Sequence, residues 1–139
     1  MLSRRGLVVF GLLTATVVGV GLYAMSEYVR PASTGRELTP SDCELLARAL
    51  RDRAPGVFEM GTRIDGPACP WRALGIKAVE ASADGSHVII DGPRYTLLRN
   101  KVVVSVGMEG FMVGSTERCT YRRGTQGWRL SSCVPTSLA

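Results

Sequence analysis

Residues 6–25 form an uncharged, mostly apolar run with no polar face at helical spacing. A helix rises about 1.5 Å per residue, so about 20 residues cross the hydrocarbon core of a bilayer. The run predicts a transmembrane helix, and membrane contact is expected through residues 6-25. Gly11, Gly19 and Gly21 lack the G-x-x-x-G spacing of a helix-dimerisation face.

A second helical pattern begins at Thr39-Pro40-Ser41-Asp42. Thr39 suits an N-cap, Pro40 the first helical position, and Asp42 puts a carboxylate in the first turn. Cys43, Leu46, Ala47 and Leu50 follow at i, i+3, i+4 and i+7 as one apolar stripe. Arg48, Arg51 and Arg53 lie toward the C-terminal end, and Ala54-Pro55-Gly56 stops the helix.

The period then changes to two. Val57 to Ile64 reads as a strand, followed by a turn-rich break at residues 65–70. Asp84-Gly85 signals a hairpin, placing Val79 and Ala81 on one face with Val88 and Ile90. A turn at Arg99-Asn100 sets Tyr95 and Leu97 beside Val102 and Val104. A turn at Glu109-Gly110 sets Val106 and Met108 beside Phe111 and Val113, and the same face continues to Cys119 and Tyr121. Because a slip of one residue flips every side chain, the agreement of three turns on one apolar face specifies the register. The last hairpin turns near residues 124–127, bringing Trp128 and Leu130 to that face and Cys133 to the other. A bulge in the turn or at Ser131-Ser132 would set Cys133 opposite Cys119.

The expected fold class is α+β: an N-terminal transmembrane helix, then one helix packed on a curved antiparallel β-meander of five or six strands. The expected organisation is a membrane anchor or signal segment at 1-30, a linker at 31-39, and a small extracytoplasmic α+β domain at 40-139. The order of helix and meander resembles cystatin-like domains in architecture only, and that architecture hosts many functions.

Arg4 and Arg5 in the short N-terminal tail set the orientation, with the N-terminus cytoplasmic and the C-terminal domain outside. Ala24-Met25-Ser26 offers a cleavage site for the alternative, a signal peptide that leaves a secreted or periplasmic domain. The start from Ser3 to Val8 also resembles a twin-arginine export signal. All four cysteines, Cys43, Cys69, Cys119 and Cys133, follow the apolar run. An even count outside the cytoplasm argues for two disulfides. Two pairings fit: Cys43–Cys69 with Cys119–Cys133, or Cys43–Cys119 with Cys69–Cys133. No two cysteines have the close spacing of a zinc site, so no metal and no cofactor are expected.

The chain carries a net charge of +5. From residue 31 on, 14 Lys+Arg against 11 Asp+Glu leave +3, an ordinary solvated surface. The densest basic group, Arg118, Arg122, Arg123 and Arg129, suits a charged outer sheet face or contact with lipid phosphate or an acidic partner. Nucleic acid is not expected outside the cytoplasm.

No phosphate-binding loop occurs. Asp65, Asp84 and Asp91 each precede glycine, which turn formation explains. Trp71 and Trp128 suit the core. His87, the sole histidine, lies by the hairpin register near Ser82 and Glu80. A Ser-His-acid set can be written from these three, without a nucleophile elbow or an oxyanion site. No catalytic residue is assigned. The apolar hairpin tip with Met108, Phe111 and Met112 is a possible partner-binding surface.

These features fit a non-enzymatic, membrane-anchored envelope protein whose disulfide-stabilised domain binds a protein or another envelope component. The alternative is an exported small-ligand or lipid carrier with a cavity between helix and sheet. A small hydrolase comes third.

Overall fold

The computed structural model describes residues 4–30, 37–53, 61–82, 85–110 and 114–136. Among these residues two helices, α1 (Arg4–Glu27) and α2 (Pro40–Arg53), combine with five strands. The strands are β1 (Arg63–Asp65), β2 (His87–Tyr95), β3 (Lys101–Glu109), β4 (Gly114–Gly124) and β5 (Gly127–Thr136). They form one mixed sheet in the order β1-β2-β3-β4-β5.

Helix α1 is 24 residues long, about 36 Å, and is long and apolar enough to cross a membrane. Its apolar side chains are exposed, among them Leu7, Phe10, Leu13 and Val17. At its end the chain joins the sheet. The Arg30 amide donates to the Tyr95 carbonyl at 3.0 Å, and the Leu97 amide donates to the Tyr28 carbonyl at 3.2 Å. The Lys101 ammonium pairs with Glu27 in the last turn of α1.

Helix α2 starts as its sequence dictates. Thr39 Oγ1 accepts the Asp42 amide at 3.2 Å, and Asp42 Oδ2 accepts the Thr39 amide at 3.0 Å. This reciprocal cap satisfies two of the donors that a helix start leaves unpaired. Cys43, Leu46, Ala47 and Leu50 are buried as the stripe requires, and Leu45 and Ala49 widen that face. They share one core with Ile76, Val88, Ile90, Tyr95, Val102, Val104, Val106, Cys119 and Tyr121. Trp71 and Trp128 pack against it from the edge.

The first strand corrects the expected all-antiparallel meander, because β1 pairs parallel with β2, Ile64 opposite Val88. Parallel neighbours need a long crossover, and residues 66–86 supply it. The hairpin expected at Asp84-Gly85 does not pair residues 79–82 with β2, and Asp84 itself lies outside the described residues. Residues 79–82 form no strand; instead the Val79 amide donates to the Thr62 carbonyl at 3.0 Å, beside the start of β1. Val79 is only half-buried and Ala81 is exposed. Residues 57–60 of the expected first strand lie outside the described residues, as does the linker segment 31–36.

The remaining four strands are antiparallel neighbours; the β4–β5 turn falls at residues 124–127 as expected, and the other two turns are longer than expected. Tyr95 pairs with Val102 across a loop at residues 97–100, and Met108 pairs with Ser115 rather than Phe111. These shifts are even in register, so Val104, Val106, Cys119 and Tyr121 keep the core face. The loop residue Leu97, expected inside, is 36% exposed. Asp91-Gly92 is no turn: it opens a bulge within β2. Gly92 has φ +120°, and a Cβ there would meet the Val103 carbonyl oxygen at 2.9 Å, so glycine is required. Through this bulge Val88, Ile90 and Tyr95 all face the core despite their odd spacing. A second irregularity leaves Ser131 unpaired in β5 and sets Cys133 opposite Cys119. Leu130, expected in the core, is 40% exposed. The disulfides join Cys43 to Cys69 and Cys119 to Cys133.

Candidate functional site

Alternation along the strands separates a core face, covered by α2, from an outer face. Val88 and Ile90 on β2 point to α2, so His87 and Asp91 stand on the other side. On β4 the buried Cys119 and Tyr121 leave Arg118 and Arg122 outward. Residues 28–30, paired with the end of β2, line one side of an open cleft of about 350 Å³ on this outer face. Its polar lining is Tyr28, Arg30, Asp91, Arg94, Ser105 and Arg118. Arg94 pairs with Asp91 three residues earlier. Arg30 and Arg118 form no side-chain ion pair or hydrogen bond among the described residues. Among its described lining residues, three arginines against one aspartate leave a charge of +2.

The expected basic group of four is therefore divided. Arg118 enters the cleft. Arg122 stands opposite Arg129 on β5, and Arg123 stands opposite Trp128. Arg129 donates to Gln126 Oε1 at 3.2 Å. The spacing of Arg118 and Arg122 along one strand was legible in the sequence. The approach of Arg30 was not, because it depends on the backbone pairing of residues 28–30 with the end of β2.

A second polar group spans β1, β2 and β3. His87 stands opposite Arg63 on one side and Glu109 on the other. Its Nε2 lies 3.2 Å from Glu109 Oε2 and 3.7 Å from Asp65 Oδ2. Arg63 pairs with Asp65 at 3.0 Å. The Ser82–His87–Glu80 set does not assemble: the Ser82 hydroxyl donates to the Ser86 carbonyl, and the carboxylates at His87 are Glu109 and Asp65. The parallel pairing that brings in Asp65 has no local sequence signal.

A groove of about 500 Å³ runs beside α2, lined in part by Glu44, Arg48, Arg51, Leu74 and Trp128. Its arginines are engaged, Arg48 donating to the Trp128 carbonyl at 2.7 Å and Arg51 to the Leu74 carbonyl. They brace α2 against the sheet and the 71–75 turn.

Glu117, Cys119 and Cys133 are close enough together for metal ligation. Both sulfurs are held in a disulfide, however, and a metal needs the thiolate. Glu117 instead pairs with Arg53 at 3.0 Å. Below Cys119, the Tyr121 phenol is pushed up to about 12 by burial and by the neighbouring Asp52 carboxylate, 3.4 Å away. Met108, near the end of β3, is 37% exposed, whereas Phe111 and Met112 lie outside the described residues.

Compared with protein-family models, with curated proteins and with solved structures, the chain matches none of them.

Proposed function

We propose that this chain is a non-enzymatic, membrane-anchored envelope module that presents its disulfide-stapled domain, residues 40-139, to a protein or other envelope partner outside the cytoplasm. The observation that carries the reading is the joint at residues 27–30. Backbone hydrogen bonds from Tyr28 and Arg30, with the Glu27–Lys101 pair, seat the sheet directly at the end of the apolar helix. A domain held so closely is suited to presenting a surface at a fixed height above a bilayer.

The core supports a binding module over a carrier. Leu46, Leu50, Val102, Val104 and Tyr121 have no exposed surface, so packed side chains fill the centre of the space between α2 and the sheet, and the groove beside α2 lies at its edge. His87 has carboxylate neighbours, and the Ser82 hydroxyl is bonded to the Ser86 carbonyl instead of to His87, which favours a structural role for the histidine over hydrolysis. The exposed Met108 marks the end of the sheet that would meet the partner, together with Phe111 and Met112.

The test is site-specific photocrosslinking of the full chain in its native membrane. A photoreactive residue at Met108 should give one discrete adduct that the same residue at Arg72 does not. The same adduct pattern from both positions would sink the assignment of this end as the partner surface.

A further inference from the structure

We propose that the cleft between residues 28–30 and the outer face of the sheet binds the phosphate of an anionic membrane lipid headgroup. This rests on α1 spanning the membrane. The helix, about 36 Å long, slightly exceeds a hydrocarbon core of about 30 Å. Tyr28 and Arg30, immediately after it, then stand at headgroup level, where aromatic and cationic side chains are favoured.

The charge of the cleft selects the ligand. Arg30 and Arg118 line it with guanidinium groups that no described carboxylate neutralises. Arginine offers a planar fork of donors that matches phosphate oxygens. Ser105 adds a hydroxyl to the same wall, and Tyr28 an aromatic ring. The one acidic residue among the described lining, Asp91, is taken by Arg94. Among the described residues no free carboxylate lines the cleft to pair with a choline or ethanolamine cation, and one tyrosine ring is not an aromatic cage, so the net positive lining favours a headgroup of net negative charge. Its volume of about 350 Å³ suits a headgroup, not an acyl chain.

The experiment uses the full chain reconstituted in nanodiscs of phosphatidylcholine mixed with phosphatidylglycerol. It is then released into mild detergent and weighed by native mass spectrometry. The wild-type chain should retain phosphatidylglycerol in preference to phosphatidylcholine. Arg30→Gln and Arg118→Gln should each lower that retention about fivefold, while Arg72→Gln, outside the cleft, leaves it unchanged. An unchanged thermal melt of each variant excludes misfolding as the cause. Equal retention of the two lipids, or retention indifferent to Arg30 and Arg118, would overturn the proposal. So would inorganic phosphate that binds phosphatidylcholine-only discs and strips the lipid from mixed ones, because the ligand would then be free phosphate. Resistance to alkaline carbonate extraction reads the anchor separately. A resistant chain without lipid preference loses the headgroup site alone, and an extractable chain loses the anchor and the site together.

Discussion

The backbone carbonyl of Tyr95 accepts the Arg30 amide at 3.0 Å, while its side-chain hydroxyl donates to the buried Asp42 at the start of α2. One residue thus links the segment leaving α1 to the core. Its ring packs 5.7 Å from Trp128 and carries the Arg99 guanidinium 4.5 Å above its face.

Tyr95→Phe should keep the ring and the backbone bond but remove a donor from a buried carboxyl. Such a loss costs about 1–3 kcal/mol. Chemical denaturation should show that cost with an unchanged slope, and full wild-type stability would mean that the hydroxyl contributes nothing.

Leu50 is completely buried on α2, whereas His87 is half-buried on the outer face. Leu50→Ala should cost about 2–5 kcal/mol. His87→Ala breaks only partly exposed pairs and should cost under about 1 kcal/mol. In the cell, the first variant should fail through lost abundance and the second should behave as wild type. Loss of the phenotype in His87→Ala at unchanged protein level would contradict the non-enzymatic reading.

The raised Tyr121 phenol fixes an alkaline limit. Below pH 10 the phenol is protonated in both the folded and the unfolded chain, and stability does not depend on it. From pH 10 to about 12 the unfolded chain releases the proton while the folded chain holds it, so the folded state loses stability as pH rises. Tyr121→Phe should reduce that alkaline loss in a pH series of melting temperatures. An unchanged loss would show that the phenol is not its source.

The disulfides close loops of different length, with separations of 26 for Cys43–Cys69 and 14 for Cys119–Cys133. Chain entropy assigns them about 3.5 and about 3 kcal/mol. The unreduced chain should take up no alkylating label, and peptide mapping should return these two pairs. Four labels would remove the bridges, and a Cys43–Cys119 peptide would contradict the pairing.

Face assignments survived where exact turns did not. Longer loops moved β3 against β2 near Tyr95, and β4 against β3, by even steps, and an even step returns every side chain to the same face. Tyr95, Val104 and Tyr121 were therefore legible as core. Leu97 was not, because the actual loop took it out of the strand. The bulge at Ser131 was visible as a possibility because only an extra residue reconciles Leu130 with Cys133. The parallel β1 was hidden, since its pairing spans the crossover and leaves no local pattern. The arginine cleft was half visible: Arg118 stood out on β4, but Arg30 joins it through backbone bonds that no side-chain pattern encodes.

The central claim, that the sheet is seated at the outer end of a membrane-spanning α1, is tested most directly by a topology reporter fused after Ala139. A reporter active only outside the cytoplasm should be active, with Arg4 and Arg5 holding the N-terminus inside. Activity solely from a cytoplasmic reporter at that position would contradict the orientation and remove the oxidising environment that the two disulfides require.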